Sequence, residues 1–217
     1  MMARMKKTVP LFLACWVAGC QGSTPARNAT GTSISSSAIL VRARLSLPSG
    51  ELHSGYIDFD IESDARDYRL RALPGTSLYV VEPGAYRFSP VRGLFGKVKD
   101  ELRIDFNGRT YKIAFPLALL RHNSIVVKPR RIVSLGILEA KLERVSGSLE
   151  PKVTFSLLED PTTQKSLVED MIHKMMDKST DPEMRDTAVA WSRALEEALV
   201  QLQEVQDASP TFKPGPR

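Results

Sequence analysis

The stretch Ile57-Asp58-Phe59-Asp60-Ile61-Glu62, "IDFDIE", decides the fold. Apolar and acidic side chains alternate along it without a break. Successive side chains of a strand point to opposite faces, so this run has one dry face and one wet face. The same period continues outward. Tyr68, Leu70 and Ala72 alternate with Arg69 and Arg71, and Leu102, Ile104 and Phe106 alternate with Arg103 and Asp105. Tyr111, Ile113 and Phe115 follow the same rule. Half-buried strands of this kind belong to antiparallel sheets with one face on a core.

The punctuation between these runs agrees. Asn107-Gly108 predicts a two-residue hairpin. Leu73-Pro74-Gly75-Thr76 and Glu82-Pro83-Gly84-Ala85 place Pro, then Gly, at the centre of a turn. Pro presets the first φ and Gly accepts a positive second one, so type II turns are expected at both. Further strands are predicted over residues 38–47, 77–82, 85–89, 124–128, 132–143 and 152–157. Many short strands with frequent turns predict an antiparallel β-sandwich over residues 38–158.

After Glu159 the period changes to that of a helix. Asp160-Pro161 reads as N-cap and first helical residue. Val168, Met171, Ile172 and Met175 form an apolar stripe behind it. A second helix starts either at Thr180 with Glu183 as a capping box, or at Asp181 with Pro182 in the first turn. Met184, Ala188, Trp191, Leu195, Ala198, Leu202 and Val205 then recur at alternating spacings of four and three, a heptad seam. Residues 159–206 are therefore expected to form a helical hairpin against the sandwich, and the Pro-rich residues 207–217 a disordered tail. The fold class expected is mainly β with C-terminal α.

The N-terminus is different in kind. Arg4, Lys6 and Lys7 precede an apolar run from Val9 to Val17. That run is too short to span a hydrocarbon core, which needs about 20 residues of helix. Residues 1–19 read instead as a secretory signal peptide, removed from the mature protein. Val17-Ala18-Gly19-Cys20 resembles a bacterial lipobox, with an aliphatic residue, two small residues and a cysteine. The resemblance implies that Cys20 receives a diacylglycerol thioether and becomes the acylated first residue of a bacterial lipoprotein. Gln21, rather than Asp, after the cysteine implies an outer-membrane location, facing the periplasm. Residues 20–37 are small, polar and aperiodic, and read as a lipidated flexible tether with a reach of roughly 20–25 Å.

Composition bounds the rest. The only cysteines are Cys15 and Cys20, so the mature body has no thiol for a disulfide, a metal or nucleophilic attack. The formal charge of +5 is carried largely by the signal. Removing Arg4, Lys6 and Lys7 from the 30 basic residues leaves 27 against 25 acidic ones, so no nucleic-acid footprint is expected.

Two segments are alike: "SLYVVEPGAYRFSPVRG" from Ser77 and "SIVVKPRRIVSLGIL" from Ser124. Each has a strand, a charged residue, a Pro, a turn and a strand. Pro83-Gly84-Ala85-Tyr86 resembles the hairpin motif of prealbumin (transthyretin)-like sandwich modules of bacterial lipoproteins. That resemblance implies a fold and not an activity.

Candidate chemistry is sparse. Asp58, Asp60, Glu62 and Asp64 invite a calcium reading, but Ser63 and Arg69 stand where a calcium loop needs Gly and Glu. A solvated acidic face, balanced by Arg66, Arg69 and Arg71, is expected instead. His53 and His122 sit in turn-like segments. Glu169 and His173 lie one helical turn apart and are expected to pair. No catalytic residue, metal site or cofactor is expected. The Met group, Met171, Met175, Met176 and Met184, is expected to fill the helix–sheet core. Basic clusters at Arg92/Lys97/Lys99 and Lys128/Arg130/Arg131 read as loop charge that can face lipid phosphates or glycan carboxylates.

The expectation is a non-enzymatic, lipid-anchored envelope protein that binds or scaffolds an envelope or secretion partner. Met184, Ala188, Trp191, Leu195, Ala198 and Leu202 are the candidate partner interface. One alternative is a saccharide- or peptidoglycan-binding or hydrolytic lipoprotein, using Asp58 and Asp60 opposite Glu82 or Asp105. Another is a structural homo-oligomer built on the C-terminal helix.

Overall fold

The computed structural model describes residues 24–28, 37–90, 101–122, 124–144, 146–147 and 151–208. The expected signal peptide, Cys20, the cluster Arg92/Lys97/Lys99 and residues 209–217 of the expected tail lie outside them. The first strands are β1 (Thr24–Pro25), β2 (Arg27–Asn28), β3 (Ser37–Leu47), β4 (Gly50–Leu52) and β5 (Tyr56–Glu62). Next come β6 (Asp67–Ala72), β7 (Ser77–Val81), β8 (Gly84–Ser89), β9 (Glu101–Phe106) and β10 (Arg109–Ala114). After the short α1 (Leu117–Leu120) follow β11 (Ile125–Val127), β12 (Ile132–Glu143) and β13 (Lys152–Leu158). Two helices close the chain, α2 (Pro161–Lys178) and α3 (Arg185–Ala208).

The strands form two sheets, mostly antiparallel, and the protein is mainly β with C-terminal α. One sheet runs β1-β6-β5-β8-β11, with the β9–β10 hairpin also joined to β5. The other runs β13-β12-β3-β7-β2, with β4 on β3. The alternation in "IDFDIE" is realised as written: Ile57, Phe59 and Ile61 are fully buried between the sheets. Asn107 and Gly108 both take left-handed φ, 52° and 86°, and make the expected hairpin turn between β9 and β10.

The second sheet is covered on both faces, which explains a pattern that alternation alone does not. Residues 37–41 of β3 are buried without a break, and only from Arg42 does alternation begin. Ile39 and Val41 face the sandwich core, whereas Ala38 and Leu40 meet Leu167, Met171, Trp191 and Leu195 of the helices. Burying each large aliphatic side chain among them, such as Ile39, Leu40 or Val41, contributes about 1.5–3 kcal/mol. Asp160 caps α2 as predicted: its carboxylate accepts from the Thr163 N–H at 2.9 Å. The second helix begins later than either predicted start. Asp181 accepts from the Glu183 N–H at 3.0 Å and holds a turn, and α3 begins at Arg185.

Other expectations are corrected. Neither Gly75 nor Gly84 takes the positive φ of a type II turn. The reason is topological: β6 and β8 lie in one sheet and β7 in the other, so both Pro-Gly links carry the chain across the sandwich. Gly84 is already extended and paired with Val127. The second of the two alike segments does the same in reverse, from β11 in the first sheet to β12 in the second. Their likeness is that of two arches, side by side at one end of the sandwich.

Inside an otherwise antiparallel sheet, β3 and β12 pair in parallel. The long intervening chain makes this possible, since parallel neighbours need a crossover and not a hairpin. Gly136, with φ 93°, sits at the register shift of this pairing.

Residues 24–28 depart from the expected tether. Thr24 and Pro25 pair in parallel with Tyr68 and Arg69, and Arg27 and Asn28 pair with Val80 and Tyr79. The segment thus bridges one open edge of the sandwich, touching both sheets. Ala26 donates its N–H to the Arg69 carbonyl at 3.0 Å and packs on the core. A two-residue strand has no periodicity to read, so composition alone pointed to a coil.

Tyr86 closes the arch between β7 and β8. Its hydroxyl donates to the Glu82 carbonyl at 2.7 Å, and its ring meets Tyr68 edge-on at 5.9 Å. Burial pushes its pKa up to about 12. Burial raises Tyr79 too. The folded state therefore holds these protons more tightly than the unfolded chain. That stability is present below pH about 10 and is lost as pH rises toward about 12. Urea midpoints measured across this window should fall, and Tyr86→Phe should make the fall shallower.

Candidate functional site

The outer face of the first sheet carries a ladder of ion pairs set by strand register. β5 lies beside β6, so Asp58 stands opposite Arg71 and Asp60 opposite Arg69. Arg71 grips both oxygens of Asp58, at 2.7 and 3.0 Å. Arg69 reaches Asp60 at 3.0 and 3.4 Å. Arg71 also lies 3.9 Å over the Tyr56 ring. The bond to Asp58 outweighs burial and raises the Arg71 pKa. On the other side of β5, Arg87 Nε binds Glu62 at 2.7 Å, and the Ser89 hydroxyl donates to the same carboxylate at 2.9 Å.

The expected solvated acidic face is therefore corrected. Asp58 and Asp60 are 4 % and 2 % exposed, roofed by the arginines that bind them. Arg66 does not serve this face; it pairs with Glu82 at 2.7 Å. Asp105 accepts from the Gly108 N–H at 2.8 Å and so ties down the hairpin turn. The four carboxylates weighed for a hydrolytic site are thus distributed among separate partners, with an arginine on each of three and a backbone N–H on the fourth. Among the described residues no group of three His, Cys, Asp or Glu is placed to hold a metal ion.

The histidines are scattered. His53 and His173 are exposed. His122 packs edge-on against Phe88, with ring centroids 5.2 Å apart, and its Nε2 lies 2.6 Å from a Glu159 oxygen. The expected Glu169–His173 pair is replaced by Glu169 with Lys165, at 3.8 Å in the preceding turn.

Among the described side chains, the heptad seam is turned largely inward. Trp191 and Ala188 are 1 % exposed, Leu195 is fully buried and Ala198 nearly so, while Met184 and Leu202 are half-buried. Trp191, Leu195 and Leu202 pack with α2 and the second sheet. Ala188, Trp191, Leu195 and Ala198 are thus not free to serve as a partner interface or an oligomer seam, and Leu202 packs in the same hairpin, while Met184 keeps partial exposure. Met171 and Met175 fill the same core as expected, but Met176 is exposed.

Two other surface features bear on binding among the described residues. A groove of about 420 Å³ runs between α2 and the β6–β7 link. Lys174 bridges its rim, binding Asp170 at 3.2 Å and the Thr76 carbonyl at 3.2 Å. At the arch end of the sandwich, the turn between β11 and β12 presents Lys128, Pro129, Arg130 and Arg131, all exposed. Among the described residues, no helix is long and apolar enough to cross a membrane. No protein-family model matches the chain, and no curated protein matches it.

Proposed function

We propose that the chain is a lipid-anchored protein of the bacterial envelope, acylated at Cys20 and held on the periplasmic face of the outer membrane. Its work there is binding or scaffolding of an envelope partner, carried out by a transthyretin-like sandwich with a helical hairpin. The observation that carries this reading is Val17-Ala18-Gly19-Cys20, placed directly after a basic segment and a short apolar run. Two further facts support it. The body beyond Cys20 contains no other thiol, so the single cysteine is explained by its position. The carboxylates weighed for catalysis are each engaged in holding the fold. Anchoring confines the domain to a thin layer beside the bilayer, and this raises its effective concentration toward a membrane-bound partner.

Crosslinking in intact cells tests the role. The expected result is a discrete adduct with one envelope protein, weakened when Cys20→Ala frees the domain from the surface. A chain that gives no protein adduct but binds isolated peptidoglycan would contradict scaffolding and favour the glycan-directed alternative.

A further inference from the structure

We propose that the basic turn Lys128–Arg131 is a contact for anionic lipid headgroups, so that the domain stands on the membrane in one orientation and does not swing on a leash. The proposal rests on acylation of Cys20. It starts from where the chain first joins the fold. Thr24 pairs with Tyr68 at the start of β6, and residues 21–23 alone separate it from Cys20. Four Cα steps of at most about 3.6 Å give a reach of about 14 Å. The bilayer surface must therefore lie close to the end of the sandwich where β6 begins.

Strand register puts the basic turn at that same end. Tyr68 stands opposite Ile61, Glu62 opposite Arg87, and Gly84, three residues before Arg87 at the start of β8, opposite Val127. The turn that follows Val127 is thus beyond the same ends of the strands. It lies on the opposite flank, since β1-β6-β5-β8-β11 is the order of the sheet. Four spacings of about 4.8 Å separate the two flanks by roughly 19 Å. A lipid at one flank and a basic turn at the other make two points of contact, which is what fixes an orientation.

The turn is held as a unit. The Ser37 hydroxyl donates to the Lys128 carbonyl at 2.7 Å, and the Ala38 N–H donates to the Arg131 carbonyl at 3.0 Å. Arg130 keeps a left-handed φ of 56°, unusual for a residue with a Cβ. Arg131 lies 3.6 Å from Glu197, whereas Lys128 and Arg130 make no ion pair among the described residues. Glu62 and Glu82, at the same end, are held by Arg87 and Arg66. Exposed Asp64 and half-buried Asp67 lie on the anchored flank. Positive charge is thus left available on the flank that the lipid does not hold, and headgroup phosphate is the complementary group.

The test uses the full chain, extracted from membranes and reconstituted into vesicles of phosphatidylcholine alone or with about a third phosphatidylglycerol. Brief acylation of lysines, read by peptide mass spectrometry, compares Lys128 with Lys152. Lys152 is exposed and stands opposite Glu143 in the register of β12 with β13, at the far end of the sandwich. On phosphatidylglycerol, Lys128 should react about threefold or more slowly than on phosphatidylcholine, and should recover at about 1 M salt, where screening is nearly complete. Lys152 should not change. Arg130→Asn, which tolerates the same backbone, should weaken the protection. Equal labelling of the two lysines on both vesicles overturns the proposal, as does Lys128 protection that is already present in detergent, which would mark contact with another copy. If no membrane-borne chain can be extracted, or its Cys20 is bare, the anchoring reading itself fails. An acylated chain with unprotected Lys128 fails only this contact.

Discussion

Cys20→Ala should move the protein from the membrane fraction to the periplasmic fluid. Each buried methylene of an acyl chain contributes about 0.8 kcal/mol, so the two or three chains proposed on Cys20 would hold the domain by an amount on the order of tens of kcal/mol. No residue of the folded body can replace that term. In the proposed contact Lys128 and Arg130 would contribute only about 1 kcal/mol each near an anionic surface, enough to orient the domain but not to retain it. The substitution also places an alanine directly after Ala18 and Gly19, which makes the small-residue pattern of an ordinary secretory cleavage site. The variant should therefore be exported, cut and released. Fractionation followed by immunoblotting reads the result. Retention of the variant in membranes after a high-salt wash would mean that something other than a lipid on Cys20 holds the protein.

The second large effect is in the fold. Gly136→Ala should cost about 3–5 kcal/mol, from an overfilled contact on top of a left-handed backbone. A Cβ at Gly136 would lie 2.1 Å from the Leu158 carbonyl oxygen and 3.1 Å from the Glu159 Cα. These are backbone atoms and cannot rotate away. Relief requires opening β12 from β13 where Ile137 pairs with Leu158, just before the chain enters α2. The helical hairpin would then lose its footing on the second sheet. Gly108→Ala is the control. It has a similar φ of 86° but nothing within 4 Å of the added atom, so it should cost only about 1–2 kcal/mol. Urea denaturation of both variants separates close approach from backbone strain. Equal losses would show that the approach to Leu158 is unimportant.

Much of this architecture was legible because it is local. The alternation in "IDFDIE", the Asn107-Gly108 turn, the Asp160-Pro161 helix start and the α3 seam each depend on neighbours within a few residues. What was not legible depends on partners far along the chain. Pro74-Gly75 and Pro83-Gly84 announce a change of direction, but not that β7 belongs to the opposite sheet. The parallel pairing of β3 with β12 leaves no mark in either strand beyond the run Ala38–Val41, buried on both faces. The partners of Asp58, Asp60 and Glu62 follow from register, and this is why Arg87 and not Arg66 serves Glu62. The α3 seam showed that a face must be covered, but could not say that α2 and the second sheet cover it. For the candidate site the balance is reversed. Cys20 is read from local pattern alone, whereas the basic turn gains meaning only once Thr24 is seen beside Tyr68.

Acylation of Cys20 is a covalent event, and the mass of a single peptide tests it. Trypsin acting on the membrane-extracted protein should yield Cys20–Arg27 as the N-terminal peptide. This peptide should begin at Cys20 and carry a diacylglyceryl thioether, with a further acyl chain on its amino group. A peptide that runs uncut from Thr8 to Arg27, or one that begins at Cys20 with a free thiol, would contradict it.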